Sequence, residues 1–336
     1  MNTVATHTTG VIPSLDGVRA LAVSLVFAAH AGLEHVVPGS LGVTAFFVLS
    51  GYLITTLMLQ EKAGSGGLDL PAFYLRRLLR LMPPLLVVLL ATAALAAAAL
   101  IDGDYSPGGF LSVLLYAGNY WVIANDFAGI PAGVGVTWSL AVEEHFYLIY
   151  PWLALALLRL PPARAALMLG GLCALMLAWR CVLYVNGAPE AHLIMATDTR
   201  ADTILYGCIL AIAANPLNRG AQPQVWRDRL LLAACLILLL GSLLLRAEWF
   251  RLTARYTVQG AAVAGLLWLA VSRPRDWPWR WLNTRALAWL GAVSYSVYLS
   301  NHVILLALQK HLPQAPGLAI AALAAAFATL AAAPAA

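Results

Sequence analysis

Apolar runs of roughly 17 to 22 residues recur from one end of the chain to the other, each long enough as a helix to span about 30 Å of hydrocarbon. No hydrophilic stretch among the 336 residues is long enough for a soluble domain. Lipid offers an open backbone no hydrogen-bond partners, so a chain of this kind folds as packed helices. Composition agrees: 10% of residues are charged and 62% hydrophobic, whereas soluble domains carry about 25% charge. The expected fold is all-α, a polytopic transmembrane helix bundle of about 10 helices forming a single domain over residues 1–336.

Spans are expected at about 17 to 37, 41 to 60, 82 to 101, 138 to 158, 165 to 185, 202 to 214, 229 to 245, 256 to 272, 287 to 308 and 317 to 333, each bounded by Gly, Pro or charge. The run from 110 to 124 is short, contains Gly118 and Asn119, and leads into a Gly/Pro-rich stretch from Gly129 to Gly135. A re-entrant or broken segment beside a cavity suits it. Ahead of Asp16 there is neither a basic region nor a small-residue cleavage site, so no cleaved leader is expected.

The net charge of +5 is almost wholly arginine, with Lys62 and Lys310 the only lysines. Most of it lies in loops between spans, which makes it a topology signal; no nucleic-acid partner is expected. Lys62, Arg76, Arg77 and Arg80 place the loop from Glu61 to Leu81 in the cytoplasm, and the N-terminus with it. If 110 to 136 fails to cross, Arg159, Arg164, Arg219, Arg227, Arg229, Arg273, Arg275, Arg280 and Arg285 join them there, leaving Arg246, Arg251 and Arg255 outside. The re-entrant arrangement obeys the positive-inside tendency better and is adopted. Cys173, Cys181, Cys208 and Cys235 sit in apolar runs without metal-ligand spacing, so core packing is expected of them and no metal.

Ionisable residues inside a bilayer are costly and mark candidate sites. On the first helix, at about 100° per residue, Asp16, Arg19, His30 and Glu34 fall within an arc of roughly 60° that must face the bundle interior. His30 lies about 16 Å beyond Arg19 along the axis. A histidine suits removal of a hydroxyl proton near neutral pH, and Glu34, one turn on, is spaced to hold its ring. A packed histidine with a helical neighbour fits the spacing equally. The run YLRRLLRLMPP sets Arg76, Arg77 and Arg80 on adjoining faces of a short helix, suited to phosphate oxygens or to anionic lipid heads. Pro83 and Pro84 are expected to restart the chain at the head of the third span. In TWSLAVEEHFYLIYP, Glu143 and Glu144 point about 100° apart and cannot act at one point. One of them either lines a site or pairs with an intramembrane arginine such as Arg180 or Arg200. For Arg200, Asp202 and His302 a helix-locking role is expected.

These segments, in this order, resemble the membrane-bound acyltransferase type-3 family, whose members O-acylate surface glycans and related acceptors. SLDGVRALAVSLVFAAH is similar to the family opening, LGVTAFFVLSGYLI to its second-helix signature and FYLRRLLRLMPP to its Arg-rich loop; TWSLAVEEHFYLIYP, DTRADTILYG and GAVSYSVYLSNHV follow. The resemblance implies that His30 is the essential histidine, with Arg19 on its face, and that Arg77 and Arg80 contact the phosphates of a cytoplasmic acyl-CoA. Acetyl-CoA is the expected donor and a hydroxyl of an extracytoplasmic glycan or glycolipid the expected acceptor. His30 would serve as base or as acyl carrier. The implied location is the bacterial cytoplasmic (inner) membrane, with lipids as partners and a protein partner unknown. His145 stands where the family more often has Gln, and GLAIAALAAAFATLAAAPAA lacks the family's usual aromatic ending. Without an appended hydrolase-like domain, a stand-alone form is expected. The rival function is a transporter or flippase using intramembrane Arg, His and Glu, which predicts an inverted repeat. No second copy of the Arg-to-His helix or of FFVLSGYL occurs.

Overall fold

A computed structural model of the chain describes residues 12–102, 106–217 and 224–312, with residues 314, 317 and 325. The described part is helical. Helix α1 (Leu15–Ala28) runs into a π-helical turn, Ala29–Leu33, and α2 (Gly39–Ser65) returns beside it. Helix α3 (Leu70–Ala97) starts where the Asp69 carboxylate accepts from the Ala72 amide at 3.0 Å. Four helices of the described part, beginning at Leu15, Gly39, Leu70 and Pro162, are long and apolar enough to cross a membrane. A fifth candidate is α13 (Arg285–Ala292) with α14 (Ser294–His311), bent by 72° at their junction.

Between these lie α6 (Trp138–Leu157), α7 (Pro162–Val185), α9 (Thr197–Ala213), α10 (Val225–Leu244) and α12 (Ala254–Ser272), with short α8 (Glu190–Met195) and α11 (Glu248–Leu252). Helices thus fill the expected spans from 17 to 308, but lengths and apolarity do not establish a count of ten crossings. Helix α9, for example, has 17 residues and includes Asp198, Arg200 and Asp202. The expected span at 317 to 333 lies outside the described residues.

The 110 to 136 stretch is broken into α4 (Pro107–Leu114), α5 (Gly118–Asn125) and a 3-10 turn, Val134–Thr137. Each eight-residue helix is about 12 Å long, too short to cross. Lys62 Nζ, near the end of α2, donates to the carbonyl of Leu158 at the end of α6. The chain therefore leaves that end of the bundle along α3 and comes back along α6. Ser14, at the head of α1, meets Asn283 and the Ala270 carbonyl, so the arginines from Arg273 to Arg285 gather at the same end. Pro83 and Pro84 lie inside α3 and do not restart it. Arg77 and Arg80 consequently ride on a helix that continues through the bundle.

Helices α2 and α9 touch backbone to backbone. A Cβ on Gly51 would lie 1.9 Å from the Ile204 carbonyl oxygen, and one on Gly207 would lie 2.0 Å from that of Val48. Small residues at such crossings supply association that the hydrophobic effect cannot supply in lipid. Gly51→Ala is expected to force the pair apart at a cost of about 1–3 kcal/mol, seen as a lower thermal-unfolding midpoint in detergent. Gly170→Ala, on α7 with nothing within 4 Å of the added carbon, is expected to hold or raise the midpoint.

Candidate active site

Two cavities hold the candidate residues. The first opens among α1, α2, α3, α6 and α14, and its polar lining includes Arg19, Arg77, Arg80, Glu143, Ser50 and Tyr147. Arg19 is held by Asp16 at 2.7 Å, one turn back on α1. Glu143 Oε1 accepts from the Ser50 hydroxyl at 2.8 Å. Arg77 packs its guanidinium over the Tyr147 ring at 5.0 Å and the Phe73 ring at 5.7 Å. Neither Arg77 nor Arg80 has a hydrogen bond or ion pair among the described residues. Three guanidinium groups thus face one carboxylate, and two of them are unmatched. Arg76 is not in this set: it is exposed and turns to Glu61, 3.6 Å away.

The second cavity lies between the π-helical turn, the stretch from Phe127 to Trp138, and α14, with His30, His302 and Trp138 in its wall. The Asn301 amide donates to the carbonyls of Val297 at 2.9 Å and Tyr298 at 2.7 Å, which turns its Oδ1 toward His30. His30 Nδ1 lies 3.0 Å from that oxygen. An amide oxygen only accepts, so Nδ1 carries the hydrogen and Nε2 of the neutral ring keeps its lone pair. The His302 ring stacks on His30, centroids 4.5 Å apart and planes inclined by 18°.

Glu34 does not hold His30. Its carboxylate is 66% exposed and 3.8 Å from His35. The extrapolation at 100° per residue fails because the π-helical turn widens the winding and Gly32 takes φ 93°, which swings Glu34 out of the stripe. The partner is Asn301, distant in sequence and invisible to helical spacing.

The two carboxylates of α6 part as expected. Glu143 faces the arginine cavity, and Glu144 lies in an adjoining recess with Tyr116 and Tyr74, which Arg77 and Tyr147 also line. Neither pairs with Arg180 or Arg200. Arg180 binds Asp202 at 2.8 Å with both side chains fully buried, and donates to the Thr253 carbonyl at 2.6 Å. The Thr257 hydroxyl donates to the other Asp202 oxygen at 2.8 Å, so α7, α9 and α12 are tied at one point. Arg200 instead lies over the Tyr256 ring at 3.6 Å, with Phe47 and Trp138 at 5.6 and 5.7 Å. Cys173, Cys208 and Cys235 are buried, whereas Cys181 is exposed. Among the described residues no group of three or more His, Cys, Asp or Glu is placed to hold a metal ion.

A helical membrane bundle with an arginine-lined cavity on one side of an oriented histidine defines the class. A family model described as an acyltransferase domain matches residues 12–336, and the chain belongs to that membrane acyltransferase family. It is similar to the peptidoglycan O-acetyltransferase OatA of Listeria monocytogenes, 32% identical over 313 residues, covering 88% of this chain and 49% of the relative. The putative peptidoglycan O-acetyltransferase YrhL of Bacillus subtilis is 32% identical over 312 residues, covering 88% and 48%. A putative O-acetyltransferase of Staphylococcus aureus is 30% identical over 309 residues, covering 88% and 50%. The chain spans about half the length of these curated relatives. No solved structure matches it.

Removing Arg180 alone leaves Asp202 buried without its cation. Arg180→Met is expected to cost about 3–5 kcal/mol, and Arg180→Met/Asp202→Leu to recover most of it, since a buried pair is often replaceable by apolar groups of similar size. Thermal unfolding of both variants in detergent checks this.

Proposed function

We propose that the chain is an O-acyltransferase that takes an acyl group, acetyl in the first instance, from cytoplasmic acyl-CoA and passes it to a hydroxyl of an extracytoplasmic glycan. The observation that carries this is the pair of unmatched guanidinium groups of Arg77 and Arg80 in one cavity and the oriented base His30 in the next. An electropositive recess suits a polyphosphorylated donor, because planar guanidinium forks bind phosphate oxygens with charge-assisted hydrogen bonds. Arg19, already satisfied by Asp16, adds field more than direct contact. Glu143, bonded to Ser50, keeps the cavity from being uniformly cationic and orients its wall.

The arginine-rich end of the bundle is taken as the cytoplasmic one, with the N-terminus beside it, in keeping with the positive-inside tendency. An acyl-CoA head at Arg77 and Arg80 then extends its pantetheine arm toward His30. The acceptor hydroxyl arrives at the His30 cavity from the opposite side and donates its proton to Nε2 as its oxygen attacks the thioester carbon. The carbon–sulfur bond breaks, and the thiolate takes the proton back from His30. Peptidoglycan is the acceptor class favoured by the names of the relatives, and a bacterial cytoplasmic membrane is the setting that acceptor requires. A transporter has less support: it gives no use to a histidine whose tautomer is fixed by an amide.

Three variants separate the roles in purified protein supplied with acetyl-CoA and peptidoglycan fragments, with free thiol as the signal. His30→Ala is expected to lower kcat by about 10²–10⁴-fold. Arg77→Ala/Arg80→Ala is expected to raise the acetyl-CoA KM by at least about tenfold, for lost charge-assisted bonds worth about 1.5–3 kcal/mol each. Asn301→Leu is expected to lower kcat while sparing the acetyl-CoA KM. A wild type that binds no acetyl-CoA and releases no thiol would overturn the proposal.

A further inference from the structure

His302 is the second histidine of the His30 cavity, and the proposed reaction has so far given it no task. Its ring lies flat against His30, on the residue next to the one that fixes the His30 tautomer. Helix α14 therefore grips His30 twice, with Asn301 at the ring's edge and His302 on its face. A structural lock would be expected to bond both ring nitrogens of His302 to neighbours. Instead, His302 Nδ1 is shut off from solvent and has no hydrogen-bond partner.

That lone nitrogen fixes the tautomer. A buried N–H with nothing to meet is rarer and costlier than a bare acceptor, so the hydrogen of the neutral ring belongs on Nε2. The opposite edge of the ring is the one left to the cavity that His302 lines. His30 then offers this cavity an acceptor and His302 offers it a donor, on parallel rings only 4.5 Å apart. A hydroxyl attacking a thioester needs both. As the new carbon–oxygen bond forms, the hydroxyl proton goes to one group, and the electron pair of the carbonyl moves onto its oxygen.

We infer that His302 is a further catalytic residue, whose Nε2–H donates to the acyl carbonyl oxygen as it becomes an oxyanion, while His30 Nε2 takes the proton of the acceptor hydroxyl. The inference rests on the acyl-transfer function proposed above. When the oxyanion collapses, its electron pair re-forms the carbonyl, the carbon–sulfur bond breaks, and the thiolate receives the proton held by His30. His302 donates a hydrogen bond throughout and exchanges no proton.

The test compares His302→Phe, which keeps a ring to stack but has no donor, with His302→Gln, which keeps an N–H donor but has no ring. Turnover of acetyl-CoA with peptidoglycan fragments is measured for each, together with the thermal midpoint and acetyl-CoA binding. Loss of one oxyanion donor is expected to lower kcat of His302→Phe by about 10²–10³-fold, with both KM values within about threefold of wild type. His302→Gln is expected to be at least about tenfold faster than His302→Phe. If His302→Phe turns over like wild type, or His302→Gln is no faster than His302→Phe, the side chain serves only to stack and the inference falls. If the wild type itself makes no product while His30→Ala behaves identically, the acyl-transfer proposal falls first and takes this one with it.

Discussion

Charge is expensive inside lipid, and the arrangement of this bundle follows from where its intramembrane charges go. Arg180 and Asp202 answer the cost by pairing with each other in a fully buried site, where Thr253 and Thr257 each add a hydrogen bond and three helices are tied together. Arg77 and Arg80 do not pair within the described chain and instead face a cavity. Two arginine sites of the same chain thus have opposite characters. One is closed and ion-paired, which makes it part of the scaffold; the other is open and cationic, which makes it a place for an anionic ligand.

The position of His30 depends on a local departure from the α-helix. His30 sits in the π-helical turn Ala29–Leu33, which has Gly32 at φ 93° inside it, and there it meets α14. There the amide of Asn301, fixed by two backbone carbonyls of its own helix, selects the tautomer that leaves Nε2 free. Phe47, Ser139 and Tyr298 line the arginine cavity, and Trp138 lines the His30 cavity. Phe47 and Trp138 meet edge to face at 6.4 Å, and the Ser139 and Tyr298 hydroxyls are hydrogen-bonded at 2.7 Å.

The helical class and much of the polar lining were legible in the sequence because both rest on short-range rules. Apolar run length marks a span, and a charge within a span must face inward, so Arg19, His30 and one of Glu143 and Glu144 could be assigned to the interior, whereas the same rules put Arg77 and Arg80 in a cytoplasmic loop ahead of the third span. What the sequence hid is what depends on tertiary approach. Glu34 looked like the partner of His30 only on an unbroken helix, and Asn301 lies 271 residues away from the ring it orients. Arg76 has the same local pattern as Arg80, but Glu61 draws it outward. His302 offered no spacing signal towards His30, although its motif NH places an amide and an imidazole on consecutive residues that reach one ring. The prolines after Arg80 misled in another way: a helix held by its neighbours tolerates the loss of two amide donors.

The central claim is that the acyl group enters from the arginine side and leaves from the histidine side of one bundle. The most direct measurement uses sealed vesicles with the protein in a single orientation, acetyl-labelled CoA outside at the arginine-rich end and peptidoglycan fragments trapped inside. Label appearing on the trapped fragments, with free CoA remaining outside, is the expected result. Label confined to acceptor added on the same side as the CoA would contradict it.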